Sequence, residues 1–445
     1  MRIVFKNFRI IDEARELFGA LVVDNGLIQD IIDTGNIPDG DIVIDGRAFG
    51  ESAVLMPAFI DLHSHFREPG FPEKEVSPLK EALESASLAA AAGGFATVVC
   101  MANTKPVIDT LDKALALKAR SNALGLIDLY PVLSLTKNME GRELSGIKDI
   151  SRIDEKNGQK TGLRLPLMLS EDGKDVADNA LFLAAMKEAK RLGIPVSCHC
   201  DFGGPEAQAA KSAGRERAEW SRMEENFAVR RTIELGKSTG CHIHIAHVST
   251  KEATEIIRDA KKSLAGDNGF SLTCEAAPHH IGATEEDARR MGDETCGRVN
   301  PPLRSEADRH ALIAAIRDKT IDAVATDHAP HSDSDKAAGM PGFTGLETAF
   351  AVSLSNLTPD IGLRRLSALM SANPARVLGL EDRGRVEKGL RADLVIADTG
   401  AQWKVQTEKF KSRGKCSPFA GKELRGNILM TLNAGRIVFT GGGIV

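Results

Sequence analysis

The chain has 445 residues, with 57 basic and 62 acidic side chains interspersed along it for a formal charge of −5. That length can bury a large core, as one large domain plus a smaller one, and the mixed charge excludes a nucleic-acid surface. No apolar run approaches the ~20 residues of a membrane span, and Met1-Arg2-Ile3-Val4-Phe5-Lys6 lacks the apolar core of a signal peptide. The expectation is a cytoplasmic protein without membrane contact. Its seven cysteines, odd in number and without small-domain spacing, read as reduced thiols.

Residues 1–55 alternate apolar and polar over short runs such as Ile3-Val4-Phe5 and Ala20-Leu21-Val22-Val23, with turns at Asp24-Asn25-Gly26 and Asp39-Gly40. That texture predicts a small β domain. Strand and helix then alternate. Strands are predicted at Phe59 to Leu62, Phe95 to Cys100, Leu126 to Leu133, Leu163 to Leu169, Ile194 to Cys198, His242 to Val248, Phe270 to Glu275 and Ile321 to Thr326. Helices at Ala82 to Ala92, Asp112 to Leu124, Asp178 to Leu192 and Glu224 to Thr239 each stop at a glycine, and Ser305 caps another through Asp318. Eight strands with intervening helices fit a closed (β/α)8 barrel over residues 56–383. From Gly384 the β texture returns, so residues 1–55 and 384–445 are read as one discontinuous β-sandwich domain beside the barrel.

The polar residues that stand out all lie at or just beyond the carboxyl ends of these strands, the face where barrel active sites sit. His63 and His65 share one face of their strand and can converge on one metal ion. His199, His247, the pair Asp327/His328 and the pair Glu171/Asp172 each follow a short β-prone run in the same way. Such convergence reads as a built metal site. On a strand, the sulfurs of Cys198 and Cys200 face away from His199, and His242 and His244 face away from His247, which puts all four outside the site. His328 points away from the metals, His310 lies on a charged helix as a solvated side chain, and His279/His280 serve either a ligand's outer partner or a turn beside Pro278.

The motifs His63-Ser64-His65-Phe66-Arg67-Glu68-Pro69-Gly70, Met101-Ala102-Asn103-Thr104-Lys105-Pro106, Ala246-His247-Val248-Ser249-Thr250, Pro278-His279-His280, Val299-Asn300-Pro301-Pro302-Leu303-Arg304 and Ala325-Thr326-Asp327-His328-Ala329-Pro330-His331 occur in the order of a known family. Together they resemble the class I dihydroorotases of the amidohydrolase superfamily, from about Met1 to Val438. The resemblance implies two zinc ions: His63, His65 and Asp327 on one, His199 and His247 on the other, and Asp172 bridging both. Many superfamily members bridge with a carboxylated lysine, but Leu163-Arg164-Leu165-Pro166-Leu167-Met168-Leu169 offers none. The chain departs from the family pattern at Ala58, Ala102, Glu171 and Asp201, and above all in a shortened stretch from Ser332 to Pro341, where the family's loop lies over the substrate.

Two divalent cations roughly 3.5–4 Å apart hold a hydroxide at neutral pH and polarise an amide carbonyl beside it. With Asp172 and Asp327 as the only anionic side chains, such a site sums to about +1, and Arg67 adds to that, so it favours an anionic substrate. The resemblance implies dihydroorotate and N-carbamoyl-L-aspartate, interconverted in de novo pyrimidine biosynthesis. Arg67, Asn103 and His331 would hold the carboxylate, His65 would also border the substrate, and Asn300 with the backbone at Pro341 and Gly342 would hold the ring amides. Asp327 would be the catalytic residue, moving a proton from the attacking water to the leaving nitrogen. Candidate partners are a second copy of the chain, as a homodimer, and aspartate carbamoyltransferase. The competing readings are another cyclic amidohydrolase, of hydantoinase or allantoinase type, and a non-catalytic homologue that scaffolds aspartate carbamoyltransferase. Retention of all six ligands disfavours the last.

Overall fold

The computed structural model describes residues 1–33, 35–69, 80–150, 168–264 and 269–441. Strands β1 (Arg2–Ile11), β2 (Glu16–Asp24) and β3 (Leu27–Ile32) form an antiparallel meander, and β4 (Ile42–Asp45) and β5 (Ala53–Pro57) pair parallel to β1. Asn25 and Gly26 both have positive φ, 49° and 79°, which gives the β2–β3 hairpin the twist its strands require.

The chain continues into β6 (Phe59–Ser64), β7 (Phe95–Cys100), β8 (Asp128–Pro131), β9 (Leu133–Ser134), β10 (Leu169–Ser170), β11 (Val196–Cys198), β12 (His242–Ile245), β13 (Ser271–Ala276) and β14 (Ala323–Val324). β8 and β9 are one barrel strand interrupted at Val132, so eight strand positions follow one another, with parallel pairing between neighbours. Closure comes from a parallel bridge between Ser64 and His328. The Asp61 carboxylate reinforces it by accepting from Thr326 N at 2.7 Å and Thr326 Oγ1 at 2.6 Å. Residues 163–167 of the expected fourth strand lie outside the described residues; Leu169–Ser170 supply its described part.

Helix ends follow local chemistry. Gly125, Gly193 and Gly240 adopt the left-handed conformation after Leu111–Leu124, Asn179–Leu192 and Arg217–Thr239. Ser305 Oγ accepts from Asp308 N at the start of Glu306–Arg317. Arg217–Thr239 starts seven residues earlier than the apolar pattern places it, because its first two turns are charged and carry no periodic signal.

The carboxyl-terminal strands β15 (Leu394–Lys404), β16 (Glu423–Asn433) and β17 (Arg436–Thr440) join the first five strands in one eight-stranded sheet, through antiparallel pairing of β15 with β5. Strand alternation divides its residues between two cores. Leu55, Leu394 and Ile396 pack with Phe5, Phe8 and Leu21 inside the sheet domain, while Val54, Met56, Val395 and Ala397 join the barrel core. Hydrogen bonds of 2.8 Å from Ile28 N to Leu390 O and from Gly389 N to Ile28 O tie the far edge back to the segment before β15, curling the sheet over its own core.

The reading of the cysteines needs correction. Cys296 and Cys416 are joined in a disulfide with their Cα atoms 6.1 Å apart, and the other five are buried thiols. The pair is separated by 120 residues and meets only because the β15–β16 connection packs against the segment that follows β13, a juxtaposition that spacing does not encode.

Candidate metal centre

The ligand candidates occupy one end of the barrel. His63 lies in β6 and His65 directly after it, Asp172 follows β10, His199 follows β11, His247 follows β12 and Asp327 follows β14; all six are buried. The strands stop where the backbone turns to aim these side chains inward. Three site residues carry left-handed φ values: Arg67 at 63°, His247 at 30° and Asp327 at 46°. Non-glycine residues adopt that region only when the surrounding structure over-determines them, and such strain gathers at functional sites.

Two groups of donor atoms share Asp172. His63, His65 and Asp172 form one and Asp172, His199 and His247 the other, with the atoms of each group within 4.8 Å of one another. His63 Nε2 is 3.1 Å from Asp172 Oδ1 and 3.7 Å from Asp327 Oδ1. His65 Nε2 is 3.3 Å from Asp327 Oδ1 and 3.5 Å from Asp172 Oδ2. His199 Nδ1 lies 3.1 Å from Asp172 Oδ1 and 2.8 Å from His247 Nε2. His63 Nε2 and Asp172 Oδ1 are buried, point into this space and have no hydrogen-bond partner. Buried polar atoms are normally paired, so imidazole and carboxylate atoms left unpaired at this spacing fit a divalent metal.

Outward-facing atoms fix the candidate ligands. His63 Nδ1 contacts Glu275 Oε1 at 3.0 Å, and His65 Nδ1 contacts Asn103 Oδ1 at 2.9 Å. Asn103 Nδ2 donates to Asp172 Oδ2 at 3.0 Å, and Asn300 Nδ2 lies 3.2 Å from His199 Nε2 and donates to Asp201 Oδ2 at 3.0 Å. Such partners set the tautomer and raise ligand basicity. Burial alone would raise Asp172 and Asp327, but the surrounding imidazoles hold both well below the usual carboxylate range. Burial pushes His247 down to about 3, with His199 and His63 adding to the effect, so its imidazole is neutral and ready to ligate.

Glu275 was not found by sequence reasoning. It accepts from His244 Nε2 at 2.9 Å as well as contacting His63, and these partners hold it at about 2 against the effect of burial. Its one sequence signal is an acid at the end of the β-prone run from Phe270. His244 thus lies outside the candidate ligand cluster and holds Glu275, which contacts His63. His279 Nε2 is 4.0 Å from Asp327 Oδ2, and His280 Nε2 contacts Pro301 O at 3.1 Å. The His328 imidazole turns away and accepts from Gly345 N at 3.2 Å.

On the open side of the ligands, the Arg67 guanidinium is buried, donating to Pro330 O at 3.3 Å and lying 3.1 Å from His331 Nε2. His331 Nε2 is also 2.9 Å from Pro341 O. Gly342 N–H is committed to Arg298 O at 3.0 Å. The structure thus brings Arg67, Asn103, Asn300 and His331 to the ligand cluster, but engages the backbone polar groups of Pro341 and Gly342 within the protein.

With barrel, ligand set and basic lip in place, the class follows: the amidohydrolase family model matches residues 54–438, and the chain belongs to that family. Curated relatives over the full length include the dihydroorotase of Clostridium botulinum (strain Eklund 17B / Type B), 37% identical over 441 residues that cover 99% of this chain and 100% of the relative. Another is the dihydroorotase of Syntrophus aciditrophicus (strain SB), 34% identical over 454 residues and 99% of each chain. Within the amidohydrolases this places the chain among the dihydroorotases. A solved structure of L-hydantoinase (dihydropyrimidinase) from Arthrobacter aurescens superposes with a TM-score of 0.84 at 24% identity, covering 100% of this chain and 97% of the other, which shows a shared fold.

Proposed function

We propose that the chain catalyses the reversible cyclisation of N-carbamoyl-L-aspartate to (S)-dihydroorotate with two zinc ions bound. His63, His65 and Asp327 would hold one ion, His199 and His247 the other, and Asp172 both. When bound, the ions supply Lewis acidity at the amide carbonyl and a water acidic enough to attack at neutral pH. The observation that carries the substrate class is Arg67, a buried guanidinium beside the ligand cluster whose partners among the described residues are a carbonyl and an imidazole rather than a carboxylate. It is placed to take a substrate carboxylate through a directional, charge-assisted pair.

The chain's own groups divide the remaining work. Asn103 orients His65 and Asp172 and borders the carboxylate position with His331, and Asn300 borders the ring. Asp327 is ionised and turns Oδ1 toward the histidines, leaving Oδ2 to take a proton from the attacking water and pass it to the leaving ring nitrogen. Cyclisation reverses these transfers. In this reading the barrel, residues 56–383, carries the site, and the domain from residues 1–55 and 384–445 supports it. A homodimer, a complex with aspartate carbamoyltransferase and a cytoplasmic location accompany the reading as proposals, with light scattering and co-purification as tests of the first two.

Assay of zinc-loaded protein on dihydroorotate, hydantoin and allantoin, with elemental analysis of the same sample, tests the proposal. Turnover of dihydroorotate alone with two zinc ions per chain is expected. Preference for an uncharged ring would favour the hydantoinase-type alternative, and a single metal with Asp172 unligated would remove the bridging role.

A further inference from the structure

Lys336 is buried at 4% exposure on the short helix Asp333–Ala337, and its side chain runs under the segment that follows His331. Its Nζ donates to Arg298 O at 2.7 Å, Gly342 O at 2.9 Å and Met340 O at 3.0 Å. An ammonium has three N–H donors and no lone pair, so three carbonyls satisfy it in full. Among the described residues none offers a carboxylate within salt-bridge distance of Nζ. Asp335, on the same helix, instead faces Lys80 at 3.3 Å and accepts from Ser332 Oγ at 2.7 Å. The other charged or titratable groups around this segment are Arg298, itself paired with Glu294 at 2.9 Å, and Lys80, Arg67 and His331 on the substrate side. The Phe343 ring lies 5.5 Å from Nζ. A buried lysine normally has an anionic partner, and one spent wholly on backbone carbonyls is a fastener.

What it fastens leads to Arg67. Met340 and Gly342 bracket Pro341, and Pro341 O is 2.9 Å from His331 Nε2, which is 3.1 Å from the Arg67 guanidinium. Arg67 can only donate and the Pro341 carbonyl can only accept, so His331 Nε2 satisfies one of them at a time. The position of Pro341 O therefore decides whether His331 bonds to the segment or to Arg67. Gly342 stands at φ 144°, and a Cβ there would lie 2.4 Å from Ala329 O, so the turn has little room to settle elsewhere.

We propose that Lys336 is the positioning residue for the shortened substrate-side segment: its ammonium clamps Arg298 O, Met340 O and Gly342 O so that Pro341 O holds His331, leaving Arg67 to the substrate carboxylate. The inference rests on the functional reading above for its kinetic consequence but not for its structural one. Burial, with Arg298 adding to it, lowers the Lys336 amine to about 7. Above that pH a neutral amine keeps two donors for three carbonyls and turns a lone pair toward the third, so the clamp opens.

The test compares wild type with Lys336→Met and Lys336→Arg, following KM and kcat for dihydroorotate from pH 6 to 9 and hydrogen exchange at Gly342 N–H. In Lys336→Met, KM should rise by about tenfold or more while kcat stays within about threefold, since a lost charged hydrogen-bond set is worth at least one factor of ten. Zinc content should stay unchanged, and Gly342 N–H should lose protection. Wild type should show KM rising above about pH 7, and Lys336→Arg, which stays charged but cannot direct three donors from one centre, should have a raised KM without that rise. A KM within about threefold of wild type for Lys336→Met at pH 6, or equal loss of kcat and zinc in that variant, overturns the proposal. Should Lys336→Met fail to fold, Lys336→Arg decides: wild-type KM at pH 6 together with unchanged protection at Gly342 N–H overturns the proposal. If wild type does not turn over dihydroorotate, the functional reading fails, and exchange at Gly342 in Lys336→Arg against wild type decides the clamp: unchanged protection overturns it.

Discussion

Glu275 Oε1 lies 3.0 Å from His63 Nδ1, on the side of the imidazole opposite Asp172. A carboxylate there requires the proton on Nδ1 and so presents the Nε2 lone pair to the metal position. Glu275→Gln keeps the shape but removes the charge, and its amide can orient the ring either way. Metal affinity should fall by about 10–100-fold, read by competition with a chromogenic chelator. Unchanged affinity would show that packing alone fixes His63.

Asp327→Asn tests the proton shuttle. An amide cannot take a proton from water, so kcat should drop by roughly 10²–10⁴-fold while substrate still binds. Zinc must be measured on the same sample, because Asp327 is also placed to ligate. A near-native rate at full occupancy would assign the shuttle to another group, for which His279, 4.0 Å from Asp327 and outside the proposed ligand set, is a candidate.

Arg67→Met separates a carboxylate substrate from an uncharged one. Dihydroorotate hydrolysis and carbamoyl aspartate cyclisation should both fall severely with zinc content intact, while any turnover of hydantoin, which lacks the carboxylate, should suffer far less. Equal losses on both substrates would mean that Arg67 supports the fold.

Metal loading should be coupled to protons. In the metal-free protein burial lowers His199, but the charge and hydrogen bond of Asp172 outweigh it and raise the imidazole to about 10. The pair's contribution to stability is thus fully present below the ordinary histidine value and lost as pH rises through about 10. Zinc must displace that proton at pH 7. Calorimetric titration in buffers of different ionisation heat should report proton release, and apparent affinity should climb between pH 7 and 9; affinity independent of pH would show that His199 is already neutral.

The amino-acid sequence by itself determined the alternation of strands and helices, the glycine stops at Gly125, Gly193 and Gly240, and the placing of His63, His199, His247 and Asp327 at strand ends. These are readable because periodicity, capping and turn chemistry act over a few residues. Only the tertiary structure decided which outer groups serve those ligands. Glu275 reaches His63 across 212 residues, Arg298 meets Lys336 across 38, and Cys296 finds Cys416 across 120. Each pairing depends on barrel closure and on the carboxyl-terminal segment packing back against the barrel, and no local pattern in the chain carries that distance. The shortened segment after His331 shows the same division: its sequence marks a departure, but that its lysine turns inward to three carbonyls is decided by the space beneath Gly342 and the lack of a carboxylate partner among the described residues around it.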